Sequence, residues 1–407
     1  MSDTALPLLE AAILRHLNTL CTGSGNRHVG SPGNRRATDY FCQTAESFGF
    51  AAECAAFDCL EWESGEVFLQ AGKRQWEAFV APYSLPCDVK AELCCISTLD
   101  ELAEAEIEDK IVLLYGEIAS EPIMPKSFVF YNPEHHQRLI ALLESKQPAA
   151  VIAATGKHPG TAGSLYPFPL FEDGDFDIPS AFMKDIEGAR LTSHRGEATH
   201  LKFESRRIPA TACNPVARKK TDAESSVLIC AHIDAKKNTP GALDNAAGVA
   251  VLLALAELLA AYDGSKRIEL VAFNGEDYYS VPGQMHYLSD LGCRMGVIDL
   301  VINLDGAGHK TAGIAYSFYN CDEDLRQMVA SVFTRDPLFV EGVPWSQGDH
   351  SMFTMAGCPA IAITSTNFDW LCQEITHTLK DSPDLVDSGK LAKTACAIHA
   401  LLTEVTT

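Results

Sequence analysis

The sequence predicts a mixed α/β fold: a mostly parallel sheet flanked by helices, with a smaller β-rich domain inserted into it. Short apolar runs of strand length alternate with segments of helical periodicity, which implies crossover connections between parallel strands. Three of these runs end on, or just before, residues that can bind a metal ion. A separate block of short strands stands between an N-terminal pair of helices and those three runs, as expected for an inserted domain.

The three runs with potential ligands at their ends span residues 226–232, 267–273 and 297–302. The candidate residues at or just after these ends are His232, Asp234, Glu276, Asp277 and Asp305. In open parallel sheets, ligands bind outside the carboxyl ends of the strands. We therefore expect these side chains to converge, although they are distant in sequence.

The remaining elements define two domains. Residues 8–20 and 35–48 have the apolar spacing of helices, and Gly49 ends the second one. The block that follows is predicted to contain strands at 66–70, 77–80, 110–115 and 149–154, and a helix at 135–145. We expect a main domain of residues 1–56 and 206–407 with residues 57–205 inserted. The alternative is that the inserted block extends the main sheet.

The composition is that of a globular protein with more than one core. The chain has 407 residues, of which 47% are hydrophobic and 21% charged. Its net charge of -22 would repel nucleic acid and anionic membranes, so neither is expected as a partner. The sequence makes no prediction about oligomeric state.

The N-terminus and the cysteines bear on cellular location. The first residues lack the basic and apolar regions of a signal peptide, and no apolar run reaches membrane-spanning length. None of the 14 cysteines has a convincing thiolate-zinc spacing. We therefore expect buried free thiols in a reducing cytoplasm.

His232 and Asp234 are predicted to act as a pair. In an extended chain, residues two apart point the same way, so Asp234 can hold the ring nitrogen of His232 that does not bind metal. A single histidine at a strand end is more often structural. The neighbouring acids favour a metal ligand here, and a mixture of imidazole and carboxylates suits zinc or a similar divalent ion.

The remaining acids divide into ligands and a base. Asp244 precedes a helical pattern and could simply cap it, but Asn245 can also cap, which leaves Asp244 free to bridge two metals. Asp305 could be a solvated turn residue, although its place at a strand end favours a ligand. Glu276 and Asp277 are adjacent carboxylates that would repel each other without a cation or a shared proton. We assign Asp277 to metal binding and Glu276 to accepting a proton from the attacking water.

His377 lies in a loop after the apolar run that follows Gly357. A loop histidine is usually only solvated. In this chain, His377 is a candidate to complete the ligand set of a second ion.

The ordered set of these motifs resembles the M28 family of co-catalytic zinc aminopeptidases. The motifs are His232-Ile-Asp234, Gly241-Ala-Leu-Asp244-Asn245-Ala-Ala-Gly248, Phe273-Asn-Gly-Glu276-Asp277, Asn303-Leu-Asp305, Asp349-His350 and His377-Thr378. The resemblance covers about residues 206–407 and the N-terminal helical region, where Gly30-Ser-Pro-Gly33 is similar to an early glycine-rich loop of the family. The insert resembles a protease-associated domain through Lys110-Ile-Val-Leu, Ala149-Ala-Val-Ile and Ile178-Pro-Ser-Ala.

The resemblance implies a metallo-aminopeptidase with the zinc exopeptidase fold, acting on peptides with a free N-terminus. It also implies two divalent metal ions as cofactors, with zinc favoured. One ion would be held by His232, Asp244 and Asp305, and the other by Asp244, Asp277 and His377, a pairing inherited from the resemblance. Glu276 would be the general base, and Asp234 would orient His232.

Two positions depart from the family pattern. Asp277 stands where glutamate is common and is one methylene shorter, so a small backbone adjustment is expected. Thr376 stands where a tyrosine often precedes the last histidine, which removes a hydroxyl that could stabilise an oxyanion. The residues considered as replacements for that tyrosine are Tyr278, Tyr279, His350 and Trp345.

Two other functions are compatible with this pattern. One is a glutaminyl-cyclase-like acyl transferase with a single zinc ion, and the other is a non-catalytic binding protein on a peptidase scaffold. The complete ligand set favours the two-metal hydrolase over both. In the insert, Phe128, Phe130, Tyr131 and His135 are candidates for substrate contact, with ordinary packing as the alternative.

Overall fold

A computed structural model of the chain describes residues 5–128, 130–158, 160, 163–220 and 222–406. The chain forms two compact units. The first comprises Met1–Cys59, Thr211–Leu371 and Ile375–Thr407, and the second comprises Leu60–Ala210 and Cys372–Glu374. The division falls close to the predicted boundaries at residues 56 and 205.

An eight-stranded mixed sheet forms the centre of the first unit. In spatial order, its strands are β1 (Ala51–Ser64), β10 (Ser205–Lys219), β12 (Arg267–Phe273), β11 (Ser226–His232), β13 (Ile298–Leu304), β16 (Ala360–Ser365), β14 (Ile314–Tyr319) and β15 (Phe339–Glu341). The four central strands β12, β11, β13 and β16 are parallel to one another, whereas β10 and β14 join them antiparallel. This arrangement confirms the predicted mixed, mostly parallel sheet.

Helices cover this sheet. They are α1 (Ala5–Asn18), α2 (Pro32–Ser47), α6 (Ala247–Leu258), α7 (Pro282–Leu291), α8 (Glu323–Phe333), α9 (His350–Thr354), α10 (Phe368–Glu374) and α11 (Ser388–Val405). Residues 247–256 of α6 are all buried, because this helix is apolar on every face and packs between the sheet and helices α1 and α11. The helix that begins just after Asp244 is thus fixed in the core.

In its described residues, the second unit contains its own eight-stranded sheet and three α-helices. In spatial order, the strands are β3 (Arg74–Trp76), β2 (Phe68–Ala71), β9 (Ala198–Phe203), β5 (Cys87–Ile96), β6 (Ile111–Leu114), β7 (Ala150–Thr155), β8 (Ser180–Lys184) and β4 (Phe79–Val80). The helices are α3 (Leu99–Glu104), α4 (Glu134–Lys146) and α5 (Asp185–Leu191). Two apolar clusters, which include the fully buried β6 and β7, form its core. The resemblance of this unit to a protease-associated domain stays a prediction.

Several predicted elements differ in detail from those observed. The strand predicted at 77–80 is only Phe79–Val80, and the preceding Arg74–Trp76 pairs with β2 in a short hairpin. Strand β1 continues to Ser64, past the predicted domain boundary. No helix in the described part of the chain has both the length and the apolar character needed to cross a lipid bilayer.

One prediction about the cysteines is wrong. Cys54 in β1 and Cys213 in β10 form a disulfide that joins residues 159 positions apart in the sequence. These two cysteines are therefore not the free thiols that were expected. Because disulfides persist in oxidising compartments, this pair does not support the expected cytoplasmic location, which stays a prediction.

His16 in α1 gives a test of how burial affects stability. Its Nδ1 lies 2.6 Å from the hydroxyl of Tyr40, and burial lowers its pKa from 6.5 to about 4. The unfolded chain binds a proton at a higher pH than the folded chain does, so the stability linked to His16 is complete above pH 6.5 and is lost as the pH falls to 4. The maximum loss is about 3 kcal/mol.

We expect His16→Gln to reduce the acid-induced loss of unfolding free energy between pH 6.5 and 4, because glutamine does not titrate. Urea unfolding of the metal-free protein at several pH values measures this loss. Tyr40→Phe is the control, and it should keep the acid sensitivity because burial is the main cause of the shift. An unchanged pH slope in His16→Gln would contradict this account.

Candidate metal centre

Five polar side chains meet at the carboxyl edge of the central parallel strands. His232 is the last residue of β11, Asp277 follows the end of β12, and Asp305 directly follows β13. Asp244 lies in the turn that leads into α6, and His377 follows α10. The structure thus brings together all five residues predicted as ligands.

Ion-pair contacts connect all five side chains. Nε2 of His232 lies 3.0 Å from Oδ1 of Asp244 and 3.8 Å from Oδ1 of Asp305. Nε2 of His377 lies 3.2 Å from Oδ2 of Asp244 and 2.8 Å from Oδ1 of Asp277. The two oxygens of Asp244 therefore face two different imidazole rings, and Asp244 is the centre of the cluster.

Asn245 takes over the capping role that leaves the Asp244 carboxylate free. Its Oδ1 accepts a hydrogen bond of 3.0 Å from the backbone N–H of Gly248, and its Nδ2 donates to the carbonyl of Leu304 at 2.7 Å. Because Leu304 is the last residue of β13, this contact also connects the Asp244 turn to the strand that positions Asp305.

Asp234 is placed differently from the prediction. Its Oδ1 lies 3.7 Å from Nδ1 of His232, which is too long for a hydrogen bond. Its oxygens instead accept hydrogen bonds from the backbone N–H groups of Glu276 and Asp277, at 3.2 and 3.1 Å. Asp234 thus fixes the turn that carries the predicted base and is in ionic contact with His232.

A network of buried asparagines supports the other side of that turn. The side-chain amides of Asn34 and Asn274 exchange two hydrogen bonds of 2.8 Å each, and Oδ1 of Asn214 accepts from the backbone N–H of Asn274 at 2.9 Å. All three residues are at most 2% exposed. Gly275, with φ of 90°, then reverses the chain so that Glu276 and Asp277 reach the cluster. The sequence reasoning missed this network.

The cluster is electrostatically unbalanced without a cation. Burial opposes a charged His377 ring, but the carboxylates of Asp277 and Asp244 outweigh it and raise the pKa to about 10. Burial also raises the pKa of Glu276 well above its usual value, and Asp277 and Asp305 add to this while His232 opposes it. Without a metal ion, the negative charge of the cluster therefore favours protonated forms of His377 and Glu276.

A divalent cation fits this donor set. Within the cluster, Nε2 of His232 and Oδ2 of Asp277 are buried atoms without a hydrogen bond. Such atoms cost free energy unless a partner is supplied. Ligand atoms around a tetrahedral zinc ion lie about 3.4 Å apart, given zinc–ligand bonds of about 2.0–2.1 Å. The contacts of 2.8 to 3.8 Å in the cluster match that spacing.

His350 is excluded as a replacement for the missing tyrosine. It is fully buried, with Nδ1 3.2 Å from the Asn303 amide nitrogen and Nε2 3.0 Å from the carbonyl oxygen of Trp345. Burial also lowers its pKa to about 4. His350 therefore supports the end of β13. Replacement of the missing tyrosine by Trp345, Tyr278 or Tyr279 stays a prediction.

A second group of potential ligands lies in the second unit. Oε1 of Glu121 is 2.8 Å from Nε2 of His135 and 3.3 Å from Nε2 of His136. However, Nδ1 of His136 accepts a hydrogen bond from the backbone N–H of Met124, so the neutral ring carries its proton on Nε2. That nitrogen is not available to a metal, and this group does not form a metal site in the arrangement observed. The role of His135, Phe128, Phe130 and Tyr131 in substrate contact stays a prediction.

The fold and the cluster together define an α/β protein with a divalent-metal site at the carboxyl edge of its parallel strands. Residues 214–402 match the model of Peptidase family M28. The matched segment contains every residue of the metal cluster.

Known relatives agree with this assignment. Aminopeptidase YwaD of Bacillus subtilis (strain 168) is 25% identical over 254 residues, which are 59% of this chain and 54% of the relative. The chain therefore aligns with about half the length of that protein.

Solved structures share the fold over nearly the whole chain. An aminopeptidase from Aneurinibacillus sp. strain AM-1 has a TM-score of 0.77 at 21% identity, covering 97% of this chain and 93% of that chain. BSAP, a zinc aminopeptidase from Bacillus subtilis, has a TM-score of 0.75 at 18% identity, covering 98% and 95%. A glutaminyl cyclase of Porphyromonas gingivalis is less similar, with a TM-score of 0.52 at 15% identity over the full length of both chains.

Proposed function

We propose that the chain is a metal-dependent aminopeptidase that removes N-terminal residues from peptides at a centre of two zinc ions. The observation that carries this proposal is the position of Asp244, whose two oxygens lie 3.0 and 3.2 Å from Nε2 atoms of different histidines. A carboxylate with one oxygen toward each of two imidazole-containing groups is suited to bridge two cations. Aminopeptidases among the relatives and structural neighbours support the choice of reaction.

The contacts also support a division of the ligands between the two ions. Asp305 is near His232, whereas Asp277 is near His377, and Asp244 contacts both histidines. One ion would thus be held by His232, Asp244 and Asp305, and the other by Asp244, Asp277 and His377. When bound, the ions would lower the pKa of a shared water and polarise the scissile carbonyl group.

The proton transfers are assigned to Glu276. Its carboxylate accepts a proton from the attacking water and then donates it to the nitrogen of the leaving amine. The backbone N–H groups of Glu276 and Asp277 donate to Asp234, which fixes the turn that carries this carboxylate. The acidic surroundings favour a substrate whose free N-terminal amine is positively charged, which is the property that distinguishes an aminopeptidase substrate.

Hydrolysis of aminoacyl p-nitroanilides by the purified, zinc-loaded chain tests this proposal. We expect release of nitroaniline that stops after chelation and returns when zinc is added back. The matching N-acetylated substrates should not be cleaved, because they lack the charged amine. Absence of hydrolysis by the zinc-loaded chain, or full activity after verified metal removal, would contradict the proposal.

A second assay, with peptides that begin with glutamine, separates the alternatives. A glutaminyl cyclase would convert peptides with N-terminal glutamine to pyroglutamyl products with release of ammonia, which mass spectrometry detects. A non-catalytic binding protein would give neither product. The five-residue cluster favours hydrolysis, because a single-zinc cyclase does not require Asp244 to face two histidines.

A further inference from the structure

The turn that positions Asp244 is held by two buried charged side chains from distant parts of the chain. We call residues 240–244 the Asp244 turn. Arg27 is 1% exposed and comes from the segment before α2, whereas Asp381 is fully buried and lies four residues after His377. Neither side chain is among the predicted ligands or catalytic residues.

Arg27 binds the carbonyl groups at the start of the turn. Its Nη1 donates to Pro240 O and its Nη2 to Gly241 O, both at 2.8 Å. The same guanidinium donates through Nε to Ile233 O at 3.2 Å and through Nη1 to Leu20 O at 2.9 Å. Ile233 directly follows the ligand His232, so one buried cation fixes the backbone beside two candidate ligands.

Asp381 binds the N–H groups at the other end of the turn. Its Oδ1 accepts from the backbone N–H of Leu243 at 2.8 Å, and its Oδ2 accepts from the N–H of Asp244 at 3.0 Å. Its backbone carbonyl accepts from the N–H of Ala242 at 3.2 Å. Three consecutive N–H groups of the turn are therefore bound by a single residue.

Two further features belong to this arrangement: the lack of space for a side chain at Gly241 and a hydrogen bond between Asp381 and the His377 turn. Gly241 has φ of 57°, and a Cβ atom there would lie 2.9 Å from Nη2 of Arg27 and 2.6 Å from the carbonyl oxygen of Asp244. The backbone N–H of Asp381 donates to Thr378 O at 3.2 Å, so Asp381 also belongs to the turn that carries His377. Asp381 thus connects the Asp244 turn to the turn that carries His377, whose ring faces Oδ2 of Asp244.

We infer that Asp381 and Arg27 are positioning residues that hold Asp244 ready to bind metal, and that their main effect is on metal affinity. The inference rests on the proposed role of Asp244 as the bridging ligand. Residues that orient metal ligands commonly change affinity by about 10- to 100-fold when they are replaced. Loss of either residue should leave the ligands present but poorly placed.

Asp381→Asn is the principal test. The asparagine has the same shape, but its NH2 group would face a backbone N–H, so one end of the turn is released. We expect zinc affinity, measured by competition with a chelating dye, to fall at least tenfold. In the metal-free protein, hydrogen exchange of the Leu243 and Asp244 amides should become faster, while exchange in α11 stays unchanged.

Asp173→Asn is the matched control. Asp173 is also buried, and its two oxygens accept hydrogen bonds from the backbone N–H groups of Lys126 and Asp175, but it lies in the second unit. We expect this variant to lose stability without a change in zinc affinity. Arg27→Lys gives a second test, because one ammonium group cannot bind all four carbonyls, and zinc affinity should again fall.

The outcomes separate this inference from the proposed function. If the parent chain binds no zinc, the proposed function fails. If the parent binds zinc and folded Asp381→Asn or Arg27→Lys binds it within twofold of the parent affinity, only the positioning role is overturned. If Asp381→Asn does not fold, the zinc affinity of Arg27→Lys decides the question.

Discussion

Glu276→Gln is expected to lower kcat for aminoacyl p-nitroanilide hydrolysis by about 10²- to 10⁴-fold, the usual contribution of a general base. Glutamine has the same shape as glutamate, but it cannot accept and return the proton. The backbone N–H of residue 276 would still donate to Asp234, so the turn should keep its position. The variant should bind zinc with the stoichiometry of the parent chain.

The control for this variant is Glu257→Gln at the exposed C-terminal end of α6, which should retain parent activity. Retained turnover in Glu276→Gln would show that another group accepts the proton. Loss of zinc together with loss of turnover would instead assign Glu276 to the ligands. Metal analysis of the same preparation distinguishes these two results.

Asp244→Asn is expected to remove both metal binding and activity. Burial disfavours the Asp244 carboxylate, but its contacts with His232 and His377 outweigh burial and hold its pKa below the usual value. A neutral amide at this position removes the negative charge that both sets of ligands share. We expect zinc affinity to fall by at least about 100-fold, because loss of a residue that only orients a ligand already lowers affinity by about 10- to 100-fold.

Elemental analysis and chelator competition measure this effect, with Asp299→Asn as the control. Asp299 lies on β13, the strand that leads to Asp305, and its carboxylate pairs with Lys266 at 2.7 Å, away from the cluster. Parent stoichiometry and affinity in Asp244→Asn would contradict the bridging role. Comparison with Glu276→Gln separates loss of the cation from loss of the base.

The main sheet and the meeting of the five candidate ligands could be predicted because both follow from strong local patterns. Strands β11 and β12 are mainly apolar runs with the predicted bounds, and parallel strands place their carboxyl ends at one edge. Strand β1 was harder to place. Most of its residues are exposed or half-buried, so it lacks the alternation that indicates a strand.

The residues that support the site could not be predicted, because they act on the backbone. Arg27 and Asp381 bind carbonyl and N–H groups, which every residue has, so no motif records these contacts. The pairing of Asn34 with Asn274 also depends on tertiary structure, since these residues are 240 positions apart. The contacts of Asp234 also depend on tertiary structure. Its oxygens accept hydrogen bonds from two backbone N–H groups in the turn after β12, whereas the sequence predicted a hydrogen bond to His232.

Anomalous X-ray scattering at the zinc edge, from crystals grown with zinc, tests the two-metal centre most directly. The proposal predicts two peaks that share Asp244, one beside His232 and Asp305 and the other beside Asp277 and His377. A single peak, or zinc bound only away from Asp244, would contradict it.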